Sequence, residues 1–270
     1  MDTPQVSPAE TAIILELLNS CLKIPGDVVE MGCYKGDTSV LLAQALKSHR
    51  SSISAPASSP ISASASSPIS APAPVLAPTS SLLPKRLWLY DSFAGLPEKS
   101  AADLSVAGSE FRAGELLASK HDLLLRFKRA NLPRPIIKKA FFEDLTPADL
   151  PEKIAFAFLD GDLYSSIKTS LALVTPRLTR PTTTSPSTIT APHQASISSA
   201  TAATSRQASI SSATATTPHQ ASAPSSRGII VVHDYANPKL PGVTRAVDEF
   251  LAGEHSFSLT RRASLAILRQ

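Results

Sequence analysis

The chain has 270 residues, 43% hydrophobic and 5% aromatic, with 23 prolines and a formal net charge of +4. Its basic residues are scattered (Lys85, Arg86, Arg126, Lys128, Arg129, Lys138, Lys139) with no aromatic-interleaved patch, which favours a solvated basic face and argues against a nucleic-acid partner. No apolar run reaches the roughly 18 residues of a membrane span, the opening MDTPQVSPAE is neither basic nor apolar, and Cys21 and Cys33 offer neither a disulfide framework nor metal-ligand spacing, so a cytoplasmic protein is expected.

Residues 51–81 repeat SSPIS and residues 181–226 repeat QASISSATA. These Ser/Ala/Pro/Thr tracts have few large apolar side chains to offset the entropy of ordering, and they read as disordered insertions. The expectation is one domain over 1–270, interrupted at 51–81 and 181–226.

The remainder alternates between helix and strand. An amphipathic helix over 8–23 precedes the short apolar strand in GDVVEMG, and TSVLLAQALKS (38–48) is helical by its apolar spacing. RLWLYDS is a second strand. GELLASKHDLLLRFKRA (114–130) spaces Leu116, Leu117, Leu123, Leu124 and Phe127 as a helix does. RPIIKKAFF and KIAFAFLDG are strands three and four, YSSIKTSLALVTPRL a helix, RGIIVVHDY strand five and GVTRAVDEFLAG a helix. HSFSLTRRASLAILRQ closes the chain as two strands joined by a very short turn. Apolar strands alternating with helices imply an α/β fold, a mainly parallel sheet covered on both faces, with an antiparallel strand from the final hairpin. Each insertion follows a helix and precedes a strand, so it belongs at the N-terminal ends of the strands, opposite the side where such sheets bind ligands.

Polar groups collect at the strands' C-terminal ends. Strand one runs into EMGCYKGDTS, with Glu30, then Gly32 and Gly36, and Thr38 and Ser39 opening a helix. The Gly-x-x-x-Gly turn lets a ligand approach the backbone, and a helix N-terminus favours a carboxylate. Strand two ends at Asp91, suited to accepting hydrogen bonds from both hydroxyls of a ribose. AFLDGDLYSS places Asp160 and Asp162 at the end of an apolar run, where packing alone gains nothing from charge. Asp162 reads either as a supporting partner behind the site or, preferably, as the cap of the following helix, leaving Asp160 for chemistry.

The stretches VVEMGCYKGDTS, LYDSFAGLPE, FLDGDLYSS and IVVHDY…PGVTRAVDEF resemble, in order, the macrocin O-methyltransferase (TylF-like) family of S-adenosylmethionine-dependent enzymes. The first motif is also similar to that of catechol O-methyltransferases. The resemblance covers nearly all of the chain outside the two tracts. It implies a single Rossmann-like class I methyltransferase domain, a seven-stranded sheet in the order 3-2-1-4-5-7-6 with strand seven antiparallel. It also implies that Glu30, Gly32, Tyr34 and Gly36 line the methionine side of S-adenosylmethionine, that Thr38 meets its carboxylate, and that Asp91, with Ser92 and Phe93 beside it, meets the ribose. Phe142 and Glu143 would lie near the adenine. Tyr34 and Phe93 have an equal reading as packing aromatics.

In the family, metal-binding carboxylates follow strands four and five; Asp160 matches the first, and Asp234 the second of the strand-five pair. Where the family has two consecutive aspartates before a tyrosine, this chain has His233-Asp234-Tyr235. Magnesium prefers oxygen ligands, whereas manganese, iron or zinc accept a nitrogen; alternatively His233 is a general base. The expected function is methyl transfer to a hydroxyl of a small molecule, a sugar or sugar-bearing metabolite, assisted by a divalent cation. A catechol-type phenol acceptor and a non-catalytic cofactor-binding scaffold are the alternatives. Neither nucleic acid nor membrane is expected as a partner, and a homo-oligomer is left open.

Overall fold

The computed structural model describes residues 5–54, 84–107, 111–180 and 227–270. Most of 51–81 and all of 181–226 therefore lie outside the described residues. Strands β1 (Asp27–Met31), β2 (Leu87–Asp91), β3 (Ile136–Lys139), β4 (Ile154–Leu159), β5 (Ile229–Val232), β6 (Ser258–Arg262) and β7 (Leu265–Arg269) form one sheet in the order β3-β2-β1-β4-β5-β7-β6. β1 to β5 run parallel, while β7 pairs antiparallel with both β5 and β6. The helices are α1 (Pro8–Cys21), α2 (Asp37–Ser54), α3 (Lys120–Arg129), α4 (Tyr164–Val174) and α5 (Pro241–Gly253). Order and polarity agree with the expectation, terminal hairpin included.

The middle strands explain the layering. IAFAFL of β4 and IIVV of β5 are buried at every position, as strands covered on both faces must be. Alternate side chains feed two cores. Val29, Met31, Ala157, Leu159, Ile230 and Val232 pack with Ile167 and Leu171 of α4 and Val243 and Val247 of α5. Val28, Leu89, Phe156, Phe158 and Val231 pack with Ile14 and Leu18 of α1, Leu42 of α2, and Leu123 and Phe127 of α3. Among the described residues no helix is long and apolar enough to cross a membrane.

Local chemistry sets the helix ends. Ser7 caps α1, its hydroxyl accepting from the Glu10 N–H while the Glu10 carboxylate accepts from the Ser7 N–H, with Pro8 in the first turn. α2 runs past the expected end at 48 to Ser54, since no proline intervenes and Ser51 and Ser52 donate back to the carbonyls of Lys47 and His49. α3, by contrast, is shorter than the leucine spacing suggests. Ser119 caps it, and the preceding residues turn away: the Leu96 N–H donates to Glu115 O at 2.8 Å, the Gly114 N–H donates to Leu96 O at 2.9 Å, and Leu116 takes a φ of 59°.

The described residues that flank 181–226 meet at one place on the sheet. The Thr179 N–H donates to Ile154 O and the Gly228 N–H to Thr179 O, both at 2.9 Å, at the N-terminal ends of β4 and β5. Closing a loop costs only about 0.6 kcal/mol per doubling of its length. Replacing residues 182–225 by a short linker is therefore expected to hold or raise the thermal midpoint, read from an unfolding curve. A chain that no longer folds would make the tract part of the architecture.

Candidate active site

A cavity of about 540 Å³ opens at the C-terminal ends of β1, β2, β4 and β5, within the range of small-molecule sites. Each strand end contributes to its lining: Glu30 and Gly32, Asp91 and Ser92, Asp160 and Asp162, His233 and Asp234. Val6 and Thr11 close it from the N-terminal segment, and Leu96 and Leu116 from the connection that leads to α3.

The turn after β1 is locked by its neighbours. Gly32 has a φ of +89°, and a Cβ there would lie 1.9 Å from the Asp160 carbonyl oxygen, so only glycine lets the end of β1 pass that of β4. The backbone N–H groups of Cys33 and Tyr34 donate to Asp91 Oδ2 at 3.0 and 2.9 Å, and that of Phe93 donates to Oδ1 at 2.8 Å. Asp91 thus staples the β1 and β2 turns together while still facing the cavity. A carboxylate has about four lone-pair sites, which leaves capacity for a ligand on the Oδ1 side.

Glu30 is different: it is 1% exposed, and its Oε2 has no hydrogen-bond partner among the described residues, nor has the Ser39 hydroxyl. Burial raises its pKa, the nearby Ser39 hydroxyl opposes this, and the charges of Asp160 and Asp91 add to the rise, to about 8. A buried, unpartnered acceptor on a cavity wall is the feature that a cationic ligand group satisfies.

On the other side of the cavity, His233 Nδ1 sits between two carboxylates, 2.9 Å from Asp160 Oδ1 and 3.0 Å from Asp234 Oδ2. Nε2 lies 3.7 Å from Glu10 Oε2. Burial lowers the imidazole's pKa, but Asp160 by charge and hydrogen bond, and Asp234 likewise, overcome this and carry it up to about 12. The two carboxylates beside the ring thus favour its charged form. One donor atom from each of Asp160, His233 and Asp234 lies within 4.8 Å of the others. Two ligands at right angles about 2.0–2.1 Å from an ion are separated by about 3.0 Å, so the His233 distances suit a shared cation as well as a shared proton.

Asp162 does not cap α4. Leu163 stands at the cap position with no side-chain hydrogen bond, and the Tyr164 N–H donates to Asp103 Oδ1 at 2.6 Å. Asp103 is buried and its other oxygen accepts from the Ser100 N–H and hydroxyl. Released from capping, Asp162 lines the cavity at a φ of 59°. Burial, reinforced by Asp160 and Asp234, pushes its carboxyl well above the usual range.

The cavity brings together Glu30, Gly32, Tyr34, Gly36, Thr38, Asp91, Ser92, Phe142, Asp160, His233 and Asp234. It leaves out Phe93, which is buried in the core on the α1 side of the sheet, and Glu143, which is exposed. The sequence reading passed over Asp162 as a lining residue, Phe141 beside Phe142, and Glu10, whose place in a capping motif concealed its approach to His233.

Comparison with known proteins agrees with this architecture. The Macrocin-O-methyltransferase (TylF) family model matches residues 75–181. The O-methyltransferase NovP superposes with a TM-score of 0.58 at 17% identity, covering 96% of this chain and 78% of that one. CalS11, a calicheamicin methyltransferase, superposes with a TM-score of 0.55 at 17% identity, covering 98% and 80%. The fold is that of a class I methyltransferase. A Streptomyces olivaceus protein, 8-demethyl-8-(2,3-dimethoxy-alpha-L-rhamnosyl)-tetracenomycin-C 4'-O-methyltransferase, is 26% identical over 161 residues, which are 57% of this chain and 49% of that protein. The chain thus spans about half the length of the curated relative it matches.

Two predictions follow from the carboxylates. Asp91→Ala orphans three backbone N–H groups, each costing about 1–3 kcal/mol when buried, so denaturant unfolding of the ligand-free protein should show a loss of at least about 2 kcal/mol; an unchanged midpoint would mean that the carboxylate does not hold the turns. Glu30 keeps its proton in the folded state up to about pH 8 but ionises near 4.5 when unfolded. Its effect on stability is therefore a decline as pH rises through that window, flattening above it. Glu30→Gln should be more stable than the parent at pH 8.5, with the gap shrinking toward pH 4.5, as read from unfolding midpoints.

Proposed function

We propose that the chain is an S-adenosylmethionine-dependent O-methyltransferase whose acceptor is a sugar hydroxyl on a small glycosylated metabolite. The observation that carries this reading is the single cavity joining two dissimilar ends: an unpartnered buried Glu30 beside the β1 turn, and the Asp160–His233–Asp234 cluster beyond it. The likeness to a methyltransferase acting on a rhamnosyl-bearing compound supports a sugar acceptor.

The residues present fit the cofactor. Glu30 would hold the methionyl ammonium. Thr38, in the first turn of α2, would meet the carboxylate with the help of the helix N-terminus. Asp91 keeps lone-pair capacity for the ribose, and Phe142 offers a face to the adenine. Bound there, S-adenosylmethionine supplies an electrophilic methyl group on a sulfonium. As the new C–O bond forms and the C–S bond breaks, the acceptor hydroxyl must lose its proton. Asp160 is the base in this reading, with Asp162 beside it to orient the acceptor hydroxyl. A divalent cation held by Asp160, His233 and Asp234 would lower the hydroxyl's pKa and fix its direction. Leu96 and Leu116, with Val6 from the N-terminal segment, keep water from the reacting atoms.

Calorimetry with S-adenosylmethionine tests the cofactor, and transfer of a labelled methyl group to a panel of glycosylated and phenolic acceptors tests the chemistry. Asp160→Asn is expected to lower turnover by at least about 10²-fold, the usual contribution of a positioned base, while S-adenosylmethionine affinity changes little. Turnover that survives the substitution would remove Asp160 from the reaction, and transfer to phenols alone would replace the sugar acceptor.

A further inference from the structure

We infer that Glu10, on the N-terminal helix, is a positioning residue for His233: its carboxylate occupies the Nε2 side of the ring and so assigns Nδ1 to the Asp160–Asp234 side, the orientation in which this histidine is the nitrogen ligand of a divalent cation. The inference rests on the cation site proposed above.

A histidine that ligates through one ring nitrogen donates from the other, and the acceptor it finds there fixes both its tautomer and its orientation. Nδ1 has Asp160 and Asp234 as its neighbours, at 2.9 and 3.0 Å. Nε2 has Glu10 Oε2 at 3.7 Å, and no other acidic or basic side chain among the described residues pairs with it. That separation is an ion-pair distance rather than a direct hydrogen bond.

Glu10 is built to stay in place. Its Oε2 accepts from the Ser7 N–H at 3.1 Å and the Ser7 hydroxyl at 2.6 Å, while Oε1 accepts from the Ser264 hydroxyl and, at 3.4 Å, the Ser264 N–H. The carboxylate thereby ties the start of α1 to the β6–β7 turn. Capping alone does not explain the charge, because glutamine serves equally at this position of a capping box. A carboxylate 8% exposed is costly unless polar hydrogens meet it, and beyond Ser7 and Ser264 the group facing it is the Nε2 side of His233.

The test separates the cap from the positioning role. Glu10→Gln keeps the capping box through its amide oxygen but turns the acceptor facing Ser264 into a donor, so its thermal midpoint should fall only slightly and its S-adenosylmethionine affinity should match the parent. Its affinity for Co²⁺, followed by calorimetry and by the visible absorption of the bound ion, should fall by about 10–100-fold, as losses of such supporting partners do. Ser264→Ala loosens the same carboxylate without touching the cap, and should weaken Co²⁺ several-fold. Unchanged Co²⁺ affinity and spectrum in both variants would overturn the inference, leaving Glu10 a cap. A parent protein that binds S-adenosylmethionine but no Co²⁺ would overturn it together with the cation site. Co²⁺ bound, and lost in Asp160→Asn, without any affinity for S-adenosylmethionine would instead refute the methyl-transfer reading, and the Glu10 comparison would stand on its own.

Discussion

A parallel sheet aims all its strand ends at one place, and here they carry Glu30, Asp91, Asp160, Asp162 and Asp234 into a single cavity. Like charges so placed must each be compensated, and each is met differently. Asp91 takes three backbone N–H groups from the turns it joins. Asp160 and Asp234 share the proton of His233. For Glu30 the nearby Ser39 hydroxyl, and for Asp162 the charge of His233, offset burial only in part, and burial drives both toward the neutral carboxylic acid. The site is therefore graded, from a carboxylate saturated by structure to carboxyls left for a ligand to ionise.

The gradation has a backbone counterpart. Tyr34, Asp162 and Asp234, each following a strand, have φ values of 43°, 59° and 58°. Non-glycine residues held in this region cost of order 1–3 kcal/mol each and persist only where their surroundings over-determine them. The surroundings are visible: Asp91 grips Tyr34, and Asn237 donates to Asp234 Oδ1 at 2.8 Å. Side chains with reason to remain polar occupy positions where glycine would be more comfortable.

The architecture was legible because it rests on short-range patterns. Fully apolar runs such as IAFAFL, separated by helical spacing, leave few topologies open, and the strand-terminal carboxylates stood out against those runs. What the sequence hid depends on partners distant along the chain. Asp103 takes the cap position that adjacency suggested for Asp162, because the connection carrying it folds back over α4. Leucine spacing extended α3 over Leu116 and Leu117, but backbone pairing of 114–115 with Leu96 won over helical propensity. Glu10 satisfied a local rule so well that nothing in the sequence suggested a second partner. Phe142 and Glu143 both came from the family resemblance, and in the short helical turn 142–144 Phe142 is buried while Glu143 is exposed.

A histidine, rather than a third acid, beside Asp160 and Asp234 sets the charge balance of this end of the sheet. Two aspartates with an imidazolium between them carry a net charge of −1. Exchanging that proton for a divalent cation leaves two aspartates, a neutral imidazole and two positive charges, a neutral group. An all-carboxylate triad would hold −3 without the ion and −1 with it. The histidine therefore lets Asp160 and Asp234 approach one another before any ion arrives, and the geometry is set by the fold rather than by the metal. Outside that cluster Glu30 and Asp162 line the cavity as carboxyls that burial drives toward the neutral acid, so a cationic cofactor would meet groups that its own charge must help to ionise.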